Sequence, residues 1–457
     1  MRDRDYRRIA DRIAADIASG RLGPGQRLPP QRTFARRHGI AASTAGRVYG
    51  ELVRRGLVVG EVGRGTFVRA HAPAADGRPL VEPTGPATPV NLQLNYPSAP
   101  GQSELLAPAL APLLRPDVLT GALRPAAATG TAAAREAAAA LLGVPDPGRV
   151  LFTGNARQAI AAALASLVRP GGRVGVEELT YPLVKEIAGR LGHTLVPLAM
   201  DAGGVRPDAV AAAHRGAPLS ALYLQPTLHN PTSTTMSGAR RAELAVVVTA
   251  LGIPVVEDRI WSFLHDAYEG DAYEGQEPFA RHAPGLTHLV DGLSKRVAPG
   301  LTVGLLVVPP ERVDAVADAI RSGGWSAGRF ALEAAVRWIG DGTVARLVAA
   351  KRADAARRQA LVRRALAGTG VLRCDPRAYY AWWELPSPWR ADTFAAAAAA
   401  RGIAVTPGPA FAVDPGRAPD AVRLGLASAP EEELGRALVT LAGLAGGAAG
   451  SGCGRSG

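Results

Sequence analysis

Apolar positions along the chain follow two rhythms. In YRRIADRIAADIASG, Ile9, Ile13 and Ile17 recur every fourth residue, which lines one face of a helix. The turn RLGPGQRLPPQ leads to a second helical pattern, QRTFARRHGI, and then to AASTAGRVYGELVRRG, where Val48, Leu52 and Val53 mark one face. LVVGEVGRGTFVRA follows as two short β runs around a Gly-rich turn. Residues 1–70 are therefore predicted as a winged helix-turn-helix, two short helices followed by a β-hairpin, whose second short helix would enter the major groove of double-stranded DNA.

Residues 71–95, rich in Pro and Ala and without periodicity, read as an interdomain linker. Over residues 96–445 the rhythm changes. Short apolar runs (RVLFTG, RVGVEE, TLVPLAM, ALYLQP, PVVEDR, HLVDGLS and VGLLVVP) alternate with Ala-rich helical segments. That alternation predicts an α/β fold, a mainly parallel sheet with helices on both faces. The Gly-rich end, 446–457, reads as a disordered tail.

Composition sharpens the picture in three places. No apolar run reaches the roughly 18 residues needed to span a bilayer, and MRDRDYRRIADRIAADIASG is too charged for a signal peptide, so a cytoplasmic protein with no membrane partner is expected. Cys374 and Cys453 provide neither a disulfide framework nor a CxxC metal site, and no metal is expected. A net charge of +12 is compatible with nucleic acid as partner, or with an Arg-rich composition alone.

Lysine is nearly absent: of 52 Lys+Arg residues only Lys185, Lys295 and Lys351 are lysine. Where a positive charge suffices the chain uses Arg, so a retained Lys is a candidate for the one thing a guanidinium cannot do, attack as a neutral amine. Lys185 and Lys351 lie in helical patterns and read as solvated surface. Lys295 lies at a strand end entering Pro-Gly, in LVDGLSKRVAPGLTVG.

The run GRLGPGQRLPPQRTFARRHGIAASTAGRVYGELVRRGLVVGEVGRGTFV resembles the GntR class of bacterial regulators, through its G-R-L-x-P-G-x-x-L-P turn, its R-x-x-A helix start and its G-x-G-T-x-V wing. Arg32, Arg36, Arg47 and Arg64 can reach phosphates or guanine edges, with Ser43 and Thr44 at the start of the recognition helix. Many GntR members carry a further Arg where this chain has Gly46.

The larger part resembles fold type I pyridoxal-phosphate aminotransferases, a large domain followed by a smaller α+β C-terminal domain; with its head the chain is similar to the MocR subgroup of GntR regulators. The resemblance implies pyridoxal 5′-phosphate as cofactor and Lys295, in S-K-x-x-x-P-G-L, as the lysine that condenses with its aldehyde. It places Asp258 of VVEDRIW against the pyridinium nitrogen and Asn230 of LQPTLHNPTSTTMS on the 3′-oxygen. Tyr181 of EELTYPLV would stack on the ring, and Ala156 and Arg157 of LFTGNARQAI would hold the phosphate with Ser294. Arg423 of AVRLGLASAPEEEL would hold an α-carboxylate. Taken singly, each also reads blandly: Asp258 as an ordinary strand end, Tyr181 as core, Arg423 as surface.

Three positions depart from the pattern. Thr302 stands where an Arg commonly clamps the phosphate, and Ile260 or Trp261 where a Tyr contacts the pyridoxal oxygen. Pro125 stands where a partner-subunit Tyr is expected before Gly130. Arg157, where a neutral Gln is common, is expected to restore the phosphate charge.

The leading expectation is a homodimeric transcription regulator that senses an amine or amino acid through Lys295. A working aminotransferase with an attached winged helix, using Lys295 as nucleophile and proton shuttle, is the alternative. A fold kept without its cofactor is the third.

Overall fold

A computed structural model of the protein describes residues 2–18, 21–23, 26–55, 57–61, 65–68, 90–265 and 277–450. In the head, helices Arg2–Ala18, Gln31–His38 and Ala42–Arg54 precede an antiparallel hairpin that pairs Val58–Glu61 with Gly65–Val68. Ile13, Phe34, Val48, Leu52, Val58 and Val68 close its core, with Ile9 and Ile17 packed against them. Val53 was expected on the same face but is 47% exposed. It sits about 100° around the helix from Leu52, beyond the stripe that Val48 and Leu52 share. Gly39, at φ 62, ends the second helix in the left-handed region and turns the chain into the third.

All seven apolar runs read from the sequence become strands of one sheet. Their order is Val150–Thr153, Gly304–Val307, Thr287–Gly292, Val255–Asp258, Ala221–Leu224, Arg173–Glu177 and Thr194–Leu198. Every pairing is parallel except those of Gly304–Val307, which runs against both neighbours. Strands such as Val255–Asp258 and Thr287–Gly292 are buried throughout, as a sheet covered on both faces requires. A four-stranded antiparallel sheet, Val371–Cys374, Tyr380–Glu384, Ala421–Gly425 and Thr406–Pro407, forms the smaller α+β part. No helix among the described residues is long and apolar enough to cross a membrane.

Four readings of the sequence change. The segment expected to be linker as far as 95 already enters the fold at Val90–Asn91, which pairs in parallel with Ile403–Ala404. The end expected to be tail from 446 is helical to Gly450, in Glu431–Gly450. Lys351 is not solvated: it is 0% exposed, and its Nζ donates to three backbone carbonyls. Lys185 is half-buried and donates to the Ala410 (2.5 Å) and Ala412 (3.1 Å) carbonyls; burial pushes its ammonium down to about 8. Both helical patterns hold, but an amphipathic count does not say which long side chain turns inward to satisfy carbonyls.

Candidate functional site

The carboxyl ends of the central strands converge on a pocket lined by Ala156, Arg157, Tyr181, Asn230, Asp258, Ser294, Lys295 and Arg423, all eight expected from the sequence for this end of the molecule. Crevices outside strand carboxyl ends are where open α/β sheets take ligands. Asn95, Tyr96, Asn155, Gln225, Ile260, Trp261 and Thr302 complete much of the wall.

One side of the pocket is a helix start. The Asn155 side chain caps helix Ala156–Leu167 by accepting from Gln158 N at 3.1 Å, and Thr153 Oγ1 donates to the Asn155 carbonyl at 2.8 Å. The first N–H groups of the helix and the exposed Arg157, which makes no hydrogen bond or ion pair among the described residues, adjoin the pocket. Such an end favours an anion. Gly304 is required here: a Cβ would overlap Thr153 Oγ1 and the Asn155 carbonyl, so only glycine lets the antiparallel strand pass this turn. Ser294 and Thr302 lie on the same side, and Thr302 Oγ1 is buried without a partner.

The floor carries the carboxylate. Asp258 Oδ2 accepts from the Tyr223 hydroxyl at 2.7 Å and Oδ1 from Ile260 N at 3.0 Å, yet burial outweighs both bonds and pushes the carboxyl up to about 6. Tyr223 in turn accepts from Gln225 Nε2 at 2.9 Å, and Gln225 Oε1 accepts from Asn230 N at 3.0 Å, which ties the Asp258 and Asn230 positions together. Glu177, bonded to Gln225 N at 2.7 Å, is pushed up to about 8 by burial. Ser233, at φ 60, holds a left-handed backbone conformation that favours glycine. Its hydroxyl donates to the Tyr380 carbonyl at 3.0 Å, which offsets part of a left-handed cost of about 1–2 kcal/mol.

Lys295 Nζ donates to the Asn95 carbonyl at 2.7 Å and lies 4.1 Å and 5.0 Å from the ring centroids of Tyr96 and Trp261. Burial first, then the nearby charges of Arg423, Arg157 and Lys351, push its ammonium down to about 7. A substantial fraction of this amine is therefore neutral near pH 7, the form a nucleophile requires. Arg423 is 3% exposed. Its Nη2 donates to the Gln93 carbonyl and to Thr406 Oγ1, Nε is buried without a partner, and burial pushes the guanidinium down to about 10. Burial also raises the Tyr181 phenol.

Ile260 and Trp261 both line the pocket, so the apolar replacements foreseen at these positions are part of its wall. Sequence reading missed Asn95, Tyr96, Tyr223 and Gln225. Tyr223 on strand Ala221–Leu224 and Gln225 just past its end are two residues apart on the way to Asn230, a usable signal. Asn95 and Tyr96 fell in or beside a stretch that composition alone marks as linker.

In the head, Arg32, Arg36, Ser43 and Arg47 are exposed and Thr44 is half-buried, on the two helices expected to face DNA. The Arg47 guanidinium lies 4.2 Å over the Tyr6 ring. Arg64 lies outside the described residues.

Residues 5–68 match the family described as bacterial regulatory proteins, gntR family, and residues 123–441 the family described as aminotransferase class I and II. The uncharacterized HTH-type transcriptional regulator YdeF of Bacillus subtilis (strain 168) is 28% identical over 442 residues, 95% of this chain and 93% of that protein. The HTH-type transcriptional regulator TauR of Rhodobacter capsulatus is 27% identical over 351 residues, 68% of each. Among solved structures, the multiple substrate aminotransferase MsAT of Thermococcus profundus superposes with a TM-score of 0.71 at 21% identity, over 83% of this chain and 96% of that one. That last likeness is one of fold.

Proposed function

The chain belongs to the aminotransferase class I and II family and carries a gntR-family head in the MocR arrangement, and on that premise we propose that it is a transcription regulator whose DNA binding answers to an amine or amino acid captured beside Lys295. The observation that carries the reading is the pocket itself: a neutral-capable amine, a buried carboxylate, an anion-ready helix start and a buried guanidinium line one cavity in a chain with a winged-helix head.

The pocket fits pyridoxal 5′-phosphate. Asn230 Oδ1, Thr302 Oγ1 and Arg423 Nε are buried polar atoms without partners that belong to pocket-lining residues, the state expected of groups that await a ligand. Ala156, Arg157, Ser294 and Thr302 would hold the phosphate, Asp258 the pyridine nitrogen, Asn230 the 3′-oxygen and Tyr181 the ring face. When bound, the cofactor supplies an aldehyde and an electron-withdrawing ring. The chain's own groups do the rest. Lys295, held at 2.7 Å by the Asn95 carbonyl, would present its amine in the neutral form. Arg423 orients an incoming carboxylate, and Trp261 and Tyr96 keep water from the amine. The regulator acts as a homodimer on paired half-sites, and a ligand changes DNA binding only by favouring one conformation over another.

The same four groups, Lys295, Asp258, Asn230 and Arg423, are those a transaminase needs, and this keeps a second reading, an active aminotransferase. Conversion of a keto acid by the amine-loaded protein under multiple turnover is the result that would favour it.

The test of the regulator is binding of the full chain to its own upstream DNA with cofactor present. Affinity should fall steeply with salt, as neutralised phosphates release counterions, and should change when candidate amines are added. Binding that is indifferent to every amine would remove the sensing role. A narrower test concerns the phosphate. Arg157→Gln should cut cofactor retention about 10- to 100-fold, the worth of a charged hydrogen bond, whereas Thr302→Ala should cost under about tenfold. Equal losses in dialysis against buffer would show that Arg157 does not supply the missing charge.

A further inference from the structure

Lys351 and Arg358 are two buried basic residues that the chemistry above leaves unused, and both lie on one long helix, Thr343–Ala365. Seven residues is close to two full turns, so they share a face about 10.5 Å apart along the axis. Lys351 Nζ donates to the carbonyls of Lys295 (3.0 Å), Arg296 (3.0 Å) and Val297 (2.7 Å), which end the short helix Leu293–Arg296. Arg358 Nη1 donates to the carbonyls of Leu426 and Ala429, both at 2.6 Å, just beyond the Ala421–Gly425 strand that bears Arg423.

We propose that this helix is a strut that sets the separation between Lys295 and Arg423, with Lys351 and Arg358 as its positioning residues. The amine lies on a short helix that follows the seven-stranded sheet and the carboxylate site on a strand of the four-stranded one, and an α-amino acid can engage both only if their spacing is fixed. The residue types suit the two ends. Three carbonyls converging on one point are met by the three donors of an ammonium, whereas separated carbonyls beside a carboxylate suit the planar fork of a guanidinium. Asp354 lies between them on the same face. It accepts from Arg358 Nε at 2.7 Å, and the Tyr379 hydroxyl lies 2.9 Å from its Oδ2 and 2.7 Å from the Lys351 carbonyl. Gln359 Nε2 donates to the Ala378 and Tyr380 carbonyls, which locks the helix to the Tyr380–Glu384 strand, where Trp382 faces Arg423. Lys351 is also one of the three cations that depress the Lys295 ammonium, with Arg423 and Arg157.

The strut rests on the reading of Lys295 and Arg423 given above, and the test separates the two. Full-length protein is loaded with pyridoxal 5′-phosphate, and apparent affinities for α-amino acids and for the matching amines without the carboxylate are read from the visible absorbance. Lys351→Met and Arg358→Met should each lower the amino-acid-over-amine preference about tenfold or more, with cofactor still fixed by borohydride. Tyr379→Phe, which removes one hydroxyl, should lower it by about threefold and serves if either Met variant fails to fold. The chain has three lysines, so lysine labelled with 13C at Cε gives three assignable signals. In cofactor-free Lys351→Met, where the Lys295 amine is unmodified, the pH midpoint of its signal should move upward. An unchanged preference in the folded variants and in Tyr379→Phe overturns the strut while the reading of the pocket stands. A parent protein with no preference for the carboxylate overturns both.

Discussion

Lys295→Ala protein is expected to carry no cofactor that borohydride can fix, to be colourless after gel filtration, and to bind operator DNA without responding to any amine. Lys295→Arg should behave the same way, because a guanidinium stays charged at any useful pH. Their shared failure would separate the need for a neutral amine from the need for a cation. An ordinary lysine is almost wholly protonated at pH 7, whereas Lys295 is pushed from 10.5 to about 7. That raises the neutral fraction at pH 7 roughly a thousandfold. Capture of free pyridoxal 5′-phosphate by the apo protein should therefore accelerate up to about pH 7 and level off above it. A rate still climbing in proportion to hydroxide at pH 9 would mean that the amine is not depressed, and fixable cofactor in the alanine variant would mean that another group captures the aldehyde.

The second large effect is one of stability against function at Asp258. In the apo protein its carboxyl is held near 6, above the ordinary 3.8, chiefly by burial. A raised acid binds its proton more tightly in the folded state, so between about pH 4 and 6 it makes folding progressively less favourable as pH rises. The penalty, about 3 kcal/mol by linkage, is complete above 6. Asp258→Asn cannot ionise. Relative to parent, its apo-state unfolding free energy should therefore gain about 2 to 2.5 kcal/mol between pH 4, where part of the penalty is already present, and pH 7, read from urea melts at the two pH values. Retention of cofactor should move the other way, since a neutral amide cannot stabilise a protonated pyridine nitrogen. A stability difference between parent and variant that is flat across that range would place the carboxylate in a solvated environment and undo the account of the pocket floor.

Strands and site were legible for the same reason. A fully buried parallel strand shows as an unbroken apolar run, and the groups that do chemistry sit where such runs stop or soon after: Asp258 closes its strand, while Lys295, on the short helix Leu293–Arg296, and Asn230 follow theirs by three and six residues. The antiparallel course of Gly304–Val307 has no such mark, because burial on both faces looks alike in either direction. Lys351 misled because its helix is charged along most of its length, and a count of polar positions cannot tell an ammonium in water from one wedged beneath a turn of backbone. Asn95 and Tyr96, which meet the amine through a carbonyl and a ring face, follow a Pro- and Ala-rich stretch whose composition is indistinguishable from linker up to the point where Val90 pairs with Ile403.

That early entry has a practical corollary. An effector-binding fragment cut at residue 96 would lack the strand partner of Ile403–Ala404, the buried Leu92, the acceptors that Gln93 offers to Arg423 and Asn95 to Lys295, and the cap that Asn95 Oδ1 gives to Ala427 N. Such a truncation would be crippled at the amine and at the guanidinium together, so an expression boundary for the isolated sensor has to fall upstream of Val90. In the intact polypeptide only four residues lie between Val90, where the chain enters this fold, and Asn95, whose carbonyl Lys295 holds, so a ligand that frees that carbonyl does so on the segment leading N-terminally to the head.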